Sequence, residues 1–383
     1  MSHVDGEEPE SASASRRADK RLSRYLPPLD GWRAIAIVAV LISHATDQFF
    51  APDGRYPNAS LYGLTRNGEI GVDIFFGISG FLITMRLLAE LDTGDRVHLA
   101  AFYTRRFFRI VPPYVVYLAI ATLLAVRPGV GGWGREIASC LLFVRNYSTT
   151  GGWFTSHFWS LAIEEHFYLL WPACLALVAR RNPALFAFAA ASTVGAWRIV
   201  DQHAQILSPL LAGVAFYHRT DIRLDALLMG CAAAIVFARQ RDWFARVMHP
   251  ALWAALVVGL VFCVVRQPPL ALTWMSMLVP LLLIGTVSRP TDRIGLMLEF
   301  PVVTWIGRMS YSLYLWQQLF LIPANEPQSA WLAPLQTFPL NIVAVFGCAA
   351  ASYYSVERPL IKVGHRLAAA FAGGRQSAVG FSQ

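Results

Sequence analysis

Charged residues are scarce in this sequence, and lysine is almost missing. Asp, Glu, Lys and Arg together make up 15% of the 383 residues, whereas a soluble domain has about 25%. The hydrophobic fraction is 56% and the mean hydropathy is +0.46. This composition argues against a disordered chain, an ordinary soluble enzyme and a nucleic-acid-binding protein.

Paired cysteines and the common cofactor motifs are missing as well. The five cysteines stand singly in or beside apolar runs, so we interpret them as small buried hydrophobic side chains. The sequence contains no Walker loop, no His-Glu-x-x-His zinc motif and no dinucleotide fingerprint. We therefore predict no metal site and no permanently bound cofactor.

Apolar runs of about 20 residues recur along the chain, and each is long enough to cross a hydrocarbon core. We predict an all-α polytopic membrane protein with about ten transmembrane helices. Their expected positions are residues 32–50, 70–88, 110–127, 159–179, 184–200, 224–238, 251–266, 271–288, 301–322 and 335–354. The transmembrane domain would cover residues 27–362, between a disordered cytoplasmic tail at 1–26 and a cytoplasmic C-terminal tail at 363–383.

The basic residues indicate the topology. They are 30 arginines with Lys20 and Lys362, and the net charge is +8. Ten spans put both termini on one side of the membrane, and that side carries 21 basic residues against 9 on the other. Because Lys and Arg accumulate in cytoplasmic loops, we predict that both termini are cytoplasmic.

Arg33 and His44 lie in the first predicted span, where charge is costly and marks functional sites. Arg33 and His44 are eleven residues apart, which puts them ~20° apart around a helix and ~16 Å apart along its axis. The arginine would lie near the cytoplasmic end and the histidine in the outer half. The alternative is a snorkelling arginine and a histidine hydrogen-bonded within the bundle.

Further charged residues lie toward the outer ends of other spans. They are Asp73, Glu164, Glu165, Arg223 and Asp225. A carboxylate beside His44 would select one tautomer and make the ring a better base. We expect Asp73 to be that partner, with Asp47, one turn after His44, as its rival. These charges can also simply pair with one another at helix ends.

A cluster of arginines precedes the third span. Arg106 and Arg109 are one helical turn apart and can present two guanidinium groups to one anion. The alternative is a positively charged cytoplasmic flank, but Arg33 at the same level favours a phosphate pocket. Acyl-coenzyme A would fit, because its phosphates and its thioester lie at opposite ends. His44 would then deprotonate an acceptor hydroxyl for direct attack, since no Gly-x-Ser-x-Gly elbow indicates a serine acyl-enzyme.

Several short motifs together resemble a known family. One motif is the pair Arg33 and His44, separated by ten residues. The others lie at residues 29–34, 71–83, 106–109, 158–172, 223–230, 310–316 and 357–359. In this order they resemble the integral-membrane acyltransferase family 3, bacterial O-acyltransferases of sugars and lipids, over about residues 27–362. The resemblance implies a bacterial cytoplasmic (inner) membrane protein with ten helices and a cytoplasmic N-terminus. It also implies acyl-CoA as donor, His44 as catalytic base, and donor binding by Arg33, Arg106 and Arg109.

Other residues match motif positions of the family. We expect Asp73 and Glu164 to take part in catalysis, and Trp159, Arg223 and Asp225 to bind the acceptor. Two features depart from the family. Gln317 stands where many relatives have histidine, which argues against a proton relay at this position. We also expect no esterase-like domain after the last span.

The leading hypothesis is a membrane O-acyltransferase that moves an acyl group, most simply acetyl, from CoA to a hydroxyl. The acceptor would contain carbohydrate, as a surface polysaccharide, a glycolipid or a glycosylated metabolite. The loops at 51–69, 128–158 and 201–222 would shape acceptor choice; their histidines, His157, His203 and His218, are assigned no role. A transporter or exporter of a hydrophobic or glycosylated compound is the alternative, followed by a scaffold or sensor without catalytic activity.

Overall fold

The computed structural model describes residues 26–50, 67–94, 97–125, 133–149, 151–289, 292–323 and 332–371. Every regular element in these ranges is a helix. The α-helices are α1 (Pro27–Phe50), α2 (Ile70–Gly94), α3 (Leu99–Ala125), α4 (Trp133–Leu141), α5 (Trp153–Ser156), α6 (Phe158–Val178), α7 (Pro183–Ala204), α8 (Thr220–Arg239), α9 (Arg241–Val247), α10 (Pro250–Arg266), α11 (Ala271–Ser288), α12 (Arg293–Leu298), α13 (Pro301–Arg308), α14 (Ser310–Phe320), α15 (Leu340–Ser352) and α16 (Arg358–Phe371).

The predicted all-α membrane architecture is confirmed. Within the described ranges, seven helical segments are long and apolar enough to cross a membrane, and the pair α9–α10, bent by 83°, is an eighth candidate. The chain is therefore a multi-pass membrane protein. In the described residues, each of the ten predicted spans overlaps helix, although the ninth is divided at Met309 between α13 and α14 and the helix of the tenth begins only at Leu340. The count of ten and the cytoplasmic location of the termini stay predictions.

The predicted tails lie largely outside the described residues, which begin at Leu26 and end at Phe371. One boundary differs from the expectation. Helix α16 continues to Phe371, so the first residues of the predicted C-terminal tail are helical. A π-helical turn, Tyr353–Glu357, connects α15 to α16 without ending the helix.

Glycines bring the central helices close together. A Cβ atom on Gly80 of α2 would collide with the backbone carbonyl of Leu227 on α8, and one on Gly230 of α8 would collide with the carbonyl of Gly77. Gly71 of α2 meets the carbonyl of Ala36 on α1 in the same way. Small residues at such crossings allow membrane helices to approach at backbone distance. Helix α2 is thereby held between α1 and α8, the three helices that carry most of the predicted site.

Candidate active site

A large cavity, called here the arginine cavity, lies among α1, α2, α3, α6 and the C-terminal helices. The non-atom space between its lining residues is about 1570 Å³, a figure that includes space open to solvent. The charged residues that line it are Arg33, Arg86, Arg106, Arg109, Arg308, Asp30, Glu164, Glu165 and Glu357. The cavity thus unites the three arginines that the sequence predicts to bind a donor.

Among the described residues, four of these arginines form no ion pair with a carboxylate. In the described part of the chain, no Asp or Glu oxygen lies within ion-pair distance of Arg33, Arg86, Arg106 or Arg109. By contrast, Arg105 does not line the cavity and pairs with Glu90 at 2.6 Å. Guanidinium groups that face a cavity without an acidic partner are suited to phosphate, which they can bind with two parallel hydrogen bonds each.

Two carboxylates of the cavity, those of Glu164 and Glu357, are held by hydroxyl groups. Glu164 accepts hydrogen bonds from the Tyr168 hydroxyl at 2.5 Å and from the Ser79 hydroxyl at 3.2 Å. Glu357, placed on the cavity wall by the π-helical turn, accepts one from Ser312 at 2.7 Å. Such π-helical turns are frequent at functional sites. Glu164 therefore lies with the arginines rather than with His44.

A second cavity, called here the histidine pocket, contains about 870 Å³ of empty space. Its lining includes His44, Glu69, Trp153, His157, Trp159 and His218. Val72 and Tyr314 line both this pocket and the arginine cavity, so the two adjoin at these side chains. The Tyr314 hydroxyl donates to the backbone carbonyl of His157 at 2.9 Å, which holds the ring in the dividing wall.

His44 is held by an amide and not by the expected carboxylate. Its Nδ1 lies 2.6 Å from Oε1 of Gln317, and its ring meets that of Trp153 edge to face at 5.4 Å. The prediction that Asp73 contacts His44 is wrong, because Asp73 forms an ion pair with Arg223 at 2.7 Å. The side chain of Asp47, the rival candidate, lies outside the described residues.

Arg223 and Asp225 of α8 are engaged in buried ion pairs. The Arg223 guanidinium, besides its pair with Asp73, lies 5.7 Å from the centre of the Trp159 ring. Asp225 accepts two hydrogen bonds from Arg198, at 3.0 and 2.9 Å. Neither Arg223 nor Asp225 lines the arginine cavity or the histidine pocket. These ion pairs offset the free-energy cost of removing the charges from water. Arg223 does not line the histidine pocket, but it packs against Trp159, which does.

Trp159 lines the histidine pocket, as a substrate-binding residue would. Its ring stacks on that of His218, with ring centres 4.5 Å apart and planes 4° apart. Burial, together with the nearby positive charges of Arg223 and Arg145, lowers the pKa of His218 to about 4. The imidazole is therefore neutral at pH 7 and forms a flat, uncharged surface with the indole.

Several residues of the site were not expected from the sequence. Arg86 lies on α2 and Arg106 on α3, and only the packing of these two helices brings both side chains to the arginine cavity. Their positions in the sequence therefore do not indicate that they lie together. His157 and His218 were assigned no role, yet both line the pocket with His44. Both ring nitrogens of His157 are buried without a hydrogen-bond partner among the described residues. A buried histidine of this kind has no signature in a loop sequence.

The comparisons with known proteins agree with this architecture. A family model described as an acyltransferase domain matches residues 27–354. The chain is 29% identical to the peptidoglycan O-acetyltransferase OatA of Listeria monocytogenes, over 91% of this chain and 58% of that protein. It is 27% identical to the O-acetyltransferase OatA of Staphylococcus aureus, over 92% and 60% respectively.

The chain thus spans about three fifths of the length of these curated relatives. No solved structure matches it significantly. The family match covers the histidine pocket, every predicted site residue, and the arginine cavity apart from Leu26, Glu357 and Ile361. Together with the multi-pass helical fold, this match shows that the chain belongs to the integral-membrane acyltransferase family 3.

Proposed function

We propose that the protein is a membrane O-acyltransferase that moves an acyl group, most simply acetyl, from acyl-CoA to a hydroxyl of a carbohydrate-containing acceptor. The observation that carries this proposal is the contact between the two cavities. Arginines that form no ion pair with a carboxylate among the described residues line one cavity, His44 lines the other, and Val72 and Tyr314 belong to both. A long donor with phosphates at one end and a thioester at the other matches this division.

The arginine cavity would bind the donor. Arg33, Arg86, Arg106 and Arg109 would hold the phosphates of CoA, while its pantetheine arm extends toward the wall formed by Val72 and Tyr314. Glu164, held by Tyr168 and Ser79, would orient this arm rather than contact His44.

His44 would act as general base at the wall. It takes the proton of an acceptor hydroxyl, whose oxygen attacks the thioester carbonyl carbon. The C–O bond of the new ester forms, the C–S bond of the thioester breaks, and the proton passes from His44 to the departing CoA thiolate. No covalent intermediate with the protein is needed, and atoms and charge balance without a further reactant.

The histidine pocket would bind the acceptor. Trp159, stacked on neutral His218, and Trp153 provide flat apolar surfaces of the kind that pack against the faces of a sugar ring. Glu69 and the loop glycines Gly151 and Gly152 complete the lining. The relatives include a protein named peptidoglycan O-acetyltransferase, whose acceptor is a carbohydrate polymer. We propose the cytoplasmic (inner) membrane of a bacterium as the location, with a cytoplasmic N-terminus.

The test uses the purified protein in nanodiscs with acetyl-CoA and a panel of glycan and glycolipid acceptors, and follows release of free CoA. Acceptor-dependent release is expected from the wild type and from His203→Ala, but not from His44→Ala. His203 is the matched control because it is exposed and bonds only a backbone carbonyl of its own helix, that of Ile199. Full activity of His44→Ala would refute the base assignment. Ion-gradient-dependent movement of a compound without acyl transfer would favour a transporter instead.

A further inference from the structure

We propose that Gln317 and Gln318 act as positioning residues that hold His44 as one tautomer, with the proton on Nδ1 and the lone pair on Nε2. The proposal rests on the proposed function for its catalytic meaning, but the tautomer itself is a property of the resting protein. The proposal gives Gln317 a positioning role, which is compatible with the earlier conclusion that this residue is not part of a proton relay.

The backbone carbonyl of Trp153 fixes the orientation of the Gln318 amide. The backbone carbonyl of Trp153 can only accept, and Nε2 of Gln318 lies 2.9 Å from its oxygen. Nε2 of Gln318 also lies 2.8 Å from the hydroxyl of Ser156. The NH2 group of the Gln318 amide therefore faces α5, and its carbonyl oxygen faces the opposite direction.

The hydrogen bond between the two glutamine side chains then fixes the orientation of the Gln317 amide. Oε1 of Gln318 can only accept, and Nε2 of Gln317 donates to it over 2.8 Å. The remaining atom of the Gln317 amide, Oε1, lies 2.6 Å from Nδ1 of His44. Because an amide oxygen cannot donate, Nδ1 must carry the hydrogen. In the neutral ring, Nε2 is then the basic nitrogen.

Burial keeps this chain in one arrangement. Gln317 is 0% exposed and Gln318 is 1% exposed, so a rotated amide would not find water as a replacement partner. Rotating either amide by 180° would place two donors, or two acceptors, next to each other. Each buried polar group that loses its hydrogen bond in this way costs about 1–3 kcal/mol. The edge-to-face contact between His44 and Trp153 also restricts the imidazole.

An amide offers a specific advantage at this position. It has no proton to exchange, so its orientation does not change with pH, and its oxygen continues to accept from Nδ1 after Nε2 has taken a proton. The carbonyl dipole then stabilises the imidazolium ion that forms when the acceptor hydroxyl is deprotonated. Gln317 and Gln318 thus orient the base without receiving its proton.

The direct test is ¹⁵N NMR of the protein in nanodiscs, with histidine labelled at both ring nitrogens. The signals of His44 are assigned by their loss in His44→Ala. We expect the protonated-nitrogen signal at Nδ1 and the lone-pair signal at Nε2 in the wild type at neutral pH. In Gln317→Met, which keeps the side-chain length but removes the acceptor, a mixture of the two tautomers is expected. Gln336→Met is the control, because Gln336 is buried and bonds the Leu319 carbonyl, without contacting His44.

Kinetics provide a second readout. Gln317→Met should lower kcat by about 10²-fold with little change in the KM for acyl-CoA, because general-base catalysis contributes roughly 10²- to 10⁴-fold. Gln317→Glu should retain much of this kcat, since a carboxylate also accepts from Nδ1–H. Its activity should begin to fall at a higher pH on acidification, because a negative charge beside the ring favours the imidazolium ion. A merely structural glutamine would not move the pH profile.

Each outcome decides the proposal. A proton on Nε2 of His44 in the wild type overturns it, whatever the enzyme's activity. A wild-type Nδ1–H signal that is unchanged in Gln317→Met shows that another group sets the tautomer, and also overturns it. The expected spectra together with no acyl transfer by the wild type would support the tautomer and reject the proposed function, so the two failures are distinguishable.

Discussion

Removal of one cavity arginine should weaken donor binding and leave the chemical step nearly unchanged. In Arg106→Gln, the protein loses a guanidinium group that faces the cavity and lies 4.7 Å from the Tyr168 ring. This group forms no ion pair with a carboxylate in the described part of the chain. A hydrogen bond to a charged group contributes about 1.5–3 kcal/mol, so the KM for acetyl-CoA should rise by roughly 10- to 150-fold. The value of kcat should change little, because a phosphate contact is the same in the ground state and the transition state.

The matched control is Arg105→Gln. This neighbour has the same charge but pairs with Glu90 at 2.6 Å, with its side chain 27% exposed, and partly exposed pairs of this kind contribute about 0–1 kcal/mol. Its KM for acetyl-CoA should stay within about twofold of the wild type. The assay is initial-rate CoA release at saturating acceptor, with acetyl-CoA varied.

A second donor separates phosphate binding from general damage. S-acetyl-pantetheine carries the thioester and the arm but no phosphate, so it should be a poor donor whose KM is unaffected by Arg106→Gln. An equal rise in KM for both donors, or an equal effect of Arg105→Gln and Arg106→Gln, would refute the assignment of the arginine cavity to the phosphates.

Three further predictions concern the framework of the site. Gly80→Leu should abolish folding, measured as loss of monodisperse protein in detergent, because its side chain would meet the backbone of α8; Gly347→Leu, with open space at its Cβ, should fold normally. Asp73→Asn should destabilise the protein by about 3–5 kcal/mol, since it leaves Arg223 buried and unpaired, and its thermal midpoint should recover in part when Arg223→Met is added. The free energy of unfolding should fall as the pH decreases from 6.5 to about 4, because His218 takes up a proton in the unfolded chain but not in the folded protein. Thermal melts of His218→Phe should lack this part of the pH dependence.

The membrane architecture follows from the sequence because it depends on local properties. A run of about 20 apolar residues must become a helix in lipid, since each backbone amide has to be hydrogen-bonded within its own segment. In the described residues, all ten predicted spans overlap helix for this reason. Arg106 and Arg109 are on one helix, so their joint position on the cavity wall also follows from spacing alone.

The partners of the charged residues did not follow from the sequence. Asp73 and Glu164 were expected near His44, yet Asp73 pairs with Arg223 and Glu164 lies in the arginine cavity. Depth in the membrane can be read from the position of a residue in its span, but the direction of its side chain depends on which helices are neighbours. That arrangement is decided by small-residue contacts such as Gly80 with the backbone of α8.

The sequence by itself therefore determined the helices, the family and the division of charge between a region with arginines and a region with His44, because these depend on local composition and short spacings. Only the tertiary structure decided that Gln317, 273 residues away along the chain, binds His44, and that Val72 and Tyr314 join the two cavities. The physical reason is that hydrogen bonds and cavity walls between helices depend on packing angles and side-chain directions. Residues far apart in the chain set these jointly.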